Sequence, residues 1–435
     1  MKKLTLLLFA ITTFAALQAQ TITSTTNGNF LMPTTWDCFC VPTPGADIIV
    51  AHDVTLNTDW GYTTGSITIN NGASLLQDAT ARSIGINGAT ATFVNNGTFD
   101  IELLLIQPGS FTNNGTASIG SFANFDFFQN TATLNNVDSL FNGGNLINDG
   151  DIEVGTFYTT LTMTNNGSIT LVDSMVNAGT FSNGNAAIIE ADSCTNSGTF
   201  TNNGRIDHVE FTNTGTYTNN NFISLVDFTN AGIFDNHDSI VATGSFWNNE
   251  DFINHTTGVF TIDVSFLNSD PVNTDASFDN DGEVSVGDSW YNFDAVSGST
   301  GGWFETQDTS FNSGSMVGSF DFCDLTQTAV VAPFLDINLG TVDLSITWCT
   351  ATEIDEDVIN NTLLAYPNPS NGTLHFETGM EEVVYVKLYN LIGKEVYSMQ
   401  VVRQTTVTDL PAGTYLLTAD DEHGNRLSTK KLIIY

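Results

Sequence analysis

Residues 196–254 read NSGTFTNNGRIDHVEFTNTGTYTNNNFISLVDFTNAGIFDNHDSIVATGSFWNNEDFIN, and four columns of like residues run through them at one interval. Gly198, Gly215 and Gly232 lie 17 residues apart, and Ile206, Ile223 and Ile240 keep the same step. Phe200, Tyr217, Phe234 and Phe252 follow at 17, 17 and 18, as do Asn202, Asn219, Asn236 and Asn254. Independent columns that share one period identify a repeat architecture, in which each unit buries its apolar face against its neighbours. The unit Asn-x-Gly-Thr/Ser-Phe/Ile also occurs upstream, at Asn95-Asn96-Gly97-Thr98-Phe99, Asn165-Asn166-Gly167-Ser168-Ile169 and Asn177-Ala178-Gly179-Thr180-Phe181.

Segments between these bends are short, β-branched and aromatic. In Phe222–Phe228, Ile223 and Leu225 alternate, and then Val226 and Phe228; the one-residue change of phase predicts a bend between two short strands. Asn, Gly and Thr are poor helix formers, and no helical period is visible. A unit of 17 or 18 residues built this way predicts an all-β fold, one coil per unit of a parallel β-helix (β-solenoid). Coils stacked at ~4.8 Å turn the aromatic column into an internal stack and the Asn columns into amide ladders. The glycines are expected to supply left-handed or otherwise strained bends. From Ser66 to Phe320 there is room for ~14 coils, a rod of roughly 65–70 Å. A propeller or serial sandwich needs units of about 40 residues or more, which the period disfavours.

Charge divides the 435 residues into two parts. The chain carries 48 acidic and 10 basic residues, a net charge of −38. Between Gln20 and Asp355 the 38 acids face only Arg82 and Arg205, whereas from Glu356 onward 10 acids face 6 bases. The break falls at Glu353-Ile354-Asp355-Glu356-Asp357. So acidic a chain has no basic patch for nucleic-acid phosphates and is repelled by anionic membrane surfaces. Lys2 and Lys3 followed by the apolar run Leu4–Leu17 read as a signal peptide cut after Ala19, and no other stretch has the ~18 apolar residues of a transmembrane segment. The layout is a signal peptide over 1–19, an N-terminal cap over 20–62, a solenoid with its C-terminal cap over 63–350, a linker over 351–362 and a small Ig-like β-sandwich over 363–435. The pattern Gly28-Asn29, Thr35-Trp36, Val41-Pro42, Asp47 and His52-Asp53-Val54-Thr55-Leu56 resembles the opening of many exported β-helical proteins. Cys323 and Cys349 are candidates for a disulfide closing the C-terminal cap. Cys38 and Cys40, two apart, are expected to be small buried residues or one end of a long-range pair, because a mutual bridge would be strained.

The C-terminal seventy residues read as six or seven short strands separated by turns. Tyr366-Pro367-Asn368-Pro369, Asn371-Gly372, Val386-x-Leu388-Tyr389-Asn390, Gly393-Lys394, Leu410-Pro411-Ala412-Gly413-Thr414-Tyr415 and Lys430-Lys431-Leu432-Ile433 together resemble the type A C-terminal sorting domain of the type IX secretion system. The resemblance implies a Bacteroidota source and recognition of residues 363–435 by the type IX secretion machinery. It further implies passage across the outer membrane, a secreted or cell-surface destination, and removal of this domain; the acidic linker places the cut between about Ala351 and Leu364. Tyr366, Pro367, Asn368, Pro369, Gly393, Leu410, Pro411, Gly413, Tyr415, Lys430 and Lys431 carry the motif. The same resemblance says nothing of what the passenger does, since the family sorts enzymes, adhesins and structural proteins alike.

Chemistry in the passenger is sparse. A lyase acting on anionic uronans needs Lys or Arg near its carboxylates, and only Arg82 and Arg205 are on offer. A glycoside hydrolase needs carboxylates held about 5–10 Å apart, and no pair among the 38 stands out from the ordinary repeat. No Gly-x-Ser-x-Gly, His-Glu-x-x-His or Walker loop occurs. Ser277-x-Asp279-x-Asp281-Gly282 with Asp288 matches the spacing of a calcium loop, so Asp279 and Asp281 are the metal candidates and structural Ca²⁺ the one cofactor candidate; otherwise no cofactor is expected. Asp138-Ser139-Leu140, Asp173-Ser174-Met175 and Asp238-Ser239-Ile240 are similar to the O-glycosylation sequon of exported Bacteroidota proteins. The expected function is a non-enzymatic surface solenoid, an adhesin or structural protein, whose ligand is a glycan or another cell. The alternative is a carbohydrate-binding protein or polysaccharide-degrading enzyme on the same scaffold.

Overall fold

A computed structural model describes residues 20–269, 275–349, 363–378, 383–390, 394–421 and 426–435. The expected signal peptide and linker lie outside the described residues. One turn of the chain shows the rule of the rest. Thr216–Asn219 lies on a first face, Ile223–Leu225 on a second and Asp227–Asn230 on a third; Ile233–Asn236 then returns to the first, in parallel register with Thr216–Asn219. Repeated over about 15 coils, this makes a parallel β-solenoid whose first face is a 17-stranded sheet. In earlier coils the second and third faces share one bent strand, such as Thr98–Ile106. There Phe99 and Ile101 point inward, Glu102 and Leu103 both point outward, and Leu104 and Ile106 point inward again. Two successive outward residues are the expected phase change, and Val226 and Asp227 mark it in the later coil.

The interior is a stack of rings flanked by amides. Phe181, Phe200, Tyr217, Phe234, Phe252 and Phe278 lie face to face with centroids 4.6–4.9 Å apart, the coil spacing itself. From Thr92–Asn95 to Ser277–Asn280, each first-face strand ends in an Asn that turns inward and is fully buried. The Nδ2 of Asn202 donates to Oδ1 of Asn219 at 2.9 Å, Asn219 to Asn236 at 2.9 Å and Asn236 to Asn254 at 2.8 Å. A second ladder follows the third face through Asn196, Asn213, Asn230, Asn248, Asn268, Asn292 and Asn312, at 2.8–2.9 Å. The same amides hold their own bends: Asn148 Nδ2 donates to the Gly150 carbonyl at 2.9 Å, and its Oδ1 accepts the Gly150 N–H. A buried amide left unpaired costs roughly 1–3 kcal/mol, so one residue type satisfies both the turn and the stack.

The glycines of the repeat are there for a different reason from the expected one. Gly198, Gly215 and Gly232 are not left-handed. Each stacks directly on the glycine of the preceding coil, where a Cβ would run into that residue's carbonyl oxygen. Close approach of successive corners excludes a side chain, and no unusual φ is needed.

Both ends are closed by aromatics. Trp36 is fully buried, its indole N–H donates to the Phe30 carbonyl at 2.8 Å, and Phe30 packs edge-on against Trp36 and Trp60. The ladder already includes Thr21–Thr23, paired in parallel with Asp47–Val50, so strands begin inside the segment expected as a cap. Cys38 and Cys40 bridge each other, contrary to expectation. Phe39 between them has φ +50°, and this left-handed residue folds the chain so that the two Cα atoms come within 5.1 Å. At the far end Cys323 and Cys349 form the expected bridge beside Trp348, which packs on Phe322.

Among the described residues the C-terminal domain has seven strands in two antiparallel sheets. Three of them, Leu364–Tyr366, Leu374–Glu377 and Gln404–Val407, form one sheet. Glu395–Val401, Val384–Asn390, Gly413–Asp420 and Arg426–Ile434 form the other. Leu374, Phe376, Val386, Leu388, Leu417 and Leu432 fill the space between them.

Candidate functional site

The two metal candidates are on the first face and the bend after it. Asp279 lies in Ser277–Asn280 with its side chain outward and accepts the Ser297 hydroxyl at 2.9 Å. Asp281 accepts the Ser299 N–H at 2.8 Å and the Ser299 hydroxyl at 2.5 Å. Each carboxylate is thus taken by a serine of the next coil, and the described residues bring no third His, Cys, Asp or Glu within reach of a shared ion. The three sequon-like triplets lie in or at the edge of strands with their third residues, Leu140, Met175 and Ile240, in the core and Ser139 exposed.

The sorting-motif residues are brought together, apart from Gly393, which lies outside the described residues. Asn368 links the ends of the domain: its Nδ2 donates to the Lys431 carbonyl at 2.8 Å and its Oδ1 accepts the Ile433 N–H at 2.7 Å. Pro367 and Pro369 flank it on the short path from Tyr366 to that last strand. Tyr415 donates its hydroxyl back to the Pro411 carbonyl at 2.8 Å, fixing the turn through Leu410 and Gly413. Lys430 and Lys431 occupy adjacent positions in Arg426–Ile434 and so point to opposite faces.

Tyr366 does not complete its own domain alone; it meets the rod. Its ring stacks on Phe222 at 4.7 Å and 15°, with Val241 and Leu364 alongside. Above it, Arg205 forms a fork. Nη1 donates to Glu377 Oε2 at 2.5 Å and to the Tyr366 hydroxyl at 2.7 Å; Nη2 donates to Glu377 Oε1 at 3.0 Å. Nε binds Asp207 at 2.7 Å, and the guanidinium lies 5.0 Å from the Phe222 ring centre. Burial works against the Arg205 charge, but Glu377 and Asp207 outweigh it and push its pKa up. Asp207 is itself raised, first by burial and also by Glu377 and by Glu190 in the preceding coil, against the pull of Arg205. Further along the flank Lys430 is partly buried; burial lowers its pKa and Glu283 of the rod opposes that. Thr257, Glu283 and Trp303 of the rod and Asn368, Lys431 and Tyr435 of the sandwich line one cleft between the two bodies. The partners of this contact lie up to 172 positions apart, so no local spacing could have signalled it.

Two rows of aromatics stand on the outer surface. Phe125, Phe141 and Tyr158 lean on one another at 5.2 and 5.6 Å, and Tyr291, Phe293 and Phe311 form a second group. Trp247, in the same outward column, is 52% exposed.

A parallel rod followed by an antiparallel sandwich, with the motif residues converging on the last strand, defines a solenoid with a separate tail domain. Residues 364–435 match the family described as the secretion system C-terminal sorting domain. The match marks the chain as a type IX secretion substrate, a secreted or cell-surface protein. No curated protein matches the chain. No helix among the described residues is long and apolar enough to cross a membrane.

Proposed function

We propose that the passenger is a non-catalytic surface rod, acting as an adhesin or structural element once exported. The observation that carries this reading is how the repeat uses its residues. Inward columns form continuous ring stacks and amide ladders, and many outward acids accept a hydroxyl from the next coil, as Asp47, Asp53, Asp151 and Asp251 do from Ser66, Ser74, Ser168 and Ser277. Such chemistry builds length and a uniform face. The exposed aromatic rows favour a second reading, a carbohydrate-binding flank, because flat rings offered to solvent stack on sugar faces. The experiment is a glycan array probed with the purified passenger, run beside hydrolysis assays on the same glycans. Binding without hydrolysis, weakened by Trp247→Ala, supports an adhesive flank; turnover of any glycan overturns the non-catalytic reading.

A further inference from the structure

We propose that the flank of the rod around Arg205 is a docking site for the chain's own sorting domain, and that docking masks the sorting motif. Of the two arginines in the passenger, Arg82 is engaged by Asp78 in the same bend. Arg205 is the other, and its outward face receives Glu377 of the sandwich in a two-pronged ion pair. Elsewhere on so acidic a rod an incoming carboxylate meets repulsion, so this arginine selects where the domain can settle.

Apolar contact fixes the orientation. Phe222 and Val241 form a small patch on the rod that is buried because Tyr366 lies on it. The patch is separate from the main core of the solenoid, as expected of a surface built for a partner. The residues of the sandwich that face the rod are also those of the motif. Tyr366 is 9% exposed against Phe222, Asn368, Pro369 and Lys431 line the shared cleft with Glu283 of the rod, and Lys430, partly buried, feels the Glu283 charge. A partner that reads Tyr-Pro-Asn-Pro therefore competes with the rod for the same surface. Docking and recognition exclude one another, so export recognition draws on the undocked fraction of the chain. This inference rests on the sorting-domain match and is independent of what the mature rod binds.

The test is pulsed acetylation of lysines in the intact chain, read by mass spectrometry. Lys394 is exposed in the same domain and serves as the internal standard. In the wild type, Lys430 should be modified at least about tenfold more slowly than Lys394, and Arg205→Glu should remove most of that difference. The charge exchange Arg205→Glu with Glu377→Arg should restore protection. Glu377→Gln, which leaves the rod sequence unchanged, must shift Lys430 in the same direction as Arg205→Glu. An unchanged rod melting temperature in each variant shows that the solenoid is intact. Equal Lys430 protection in the wild type, Arg205→Glu and Glu377→Gln would place its burial within the sandwich and overturn the docking site. Failure of the charge exchange to restore protection in a folded chain would overturn it too.

Discussion

Phe234 lies between Tyr217 and Phe252 at 4.8 and 4.9 Å, with both planes nearly parallel to its own. Phe234→Ala removes contacts on both sides and leaves a cavity that adjoining coils cannot close without breaking register, so a loss of about 3–5 kcal/mol is expected. Phe125, 43% exposed and leaning on Phe141 outside the core, is the comparison; Phe125→Ala should cost about 1 kcal/mol or less. Denaturant unfolding of both variants checks this, and equal small losses would contradict the ring stack. The column was legible because the same ring type recurs at one period. His208 was not, because its neighbours in the column are Ala191 and Leu225. Its imidazole is buried against Phe211, the Ala191 backbone gives only a weak pull, and burial holds it neutral down to about pH 3. An unfolded histidine takes up its proton near pH 6.5, so the unfolded chain binds more protons between the two values. Stability from this group is thus present above pH 6.5 and is lost as pH falls toward 3, on the order of 5 kcal/mol in full. Unfolding curves at pH 7 and pH 4.5 should show His208→Leu losing less stability than the wild type on acidification; parallel losses would refute the assignment.

An amide ladder fails in both directions from any missing rung. Asn219→Ala leaves Asn202 Nδ2 with only the Phe222 carbonyl at 3.4 Å and Asn236 Oδ1 without its ladder donor, both in dry surroundings. The expected cost is about 2–4 kcal/mol. Asn220 is next along the bend, but its amide bonds Asn203 on the surface, where water replaces the partner, and Asn220→Ala should cost under about 0.5 kcal/mol. Chemical denaturation of the two variants side by side separates them, and similar values would mean that the ladder contributes no more than a surface bond. The coil was legible at this scale: period, phase change and inward Asn all follow from residues 196–254. The corners were misjudged where the cause lay outside the local sequence. Gly198 and Gly215 are glycine because of a carbonyl one coil away, and the Cys38–Cys40 bridge depends on the conformation of Phe39. The Arg205 contact was hidden for the same reason, since it joins elements that only the folded chain brings together.

Over residues 20–350 the sequence sets 36 carboxylates against two arginines, and stacking decides how closely the charges meet. In-register partners show two cases. Glu190 stands beside Asp207 and Glu210 beside Asp227, like charges at the inter-strand spacing. Elsewhere an acid in one coil meets a serine in the next, as Asp151 meets Ser168 and Asp279 meets Ser297, so a hydrogen bond replaces a repulsion. Stability should therefore depend on ionic strength, because repulsion among solvent-facing charges weakens as the Debye length shrinks from about 10 Å at 0.1 M to about 3 Å at 1 M. The calcium-like string falls under the second case. Asp279 and Asp281 turn to separate serines, and among the described residues they gain no third ligand, whereas Ca²⁺ takes about 6–8 oxygens. The expected outcome is a melting temperature that rises from 0.05 to about 0.5 M NaCl, with no added rise from millimolar Ca²⁺ over EDTA at matched ionic strength. Asp279→Asn combined with Asp281→Asn should leave both curves in place, apart from the small gain of two fewer charges. A Ca²⁺ increment that the double variant abolishes would instead establish a site at these two residues, with its remaining oxygens drawn from backbone carbonyls and water.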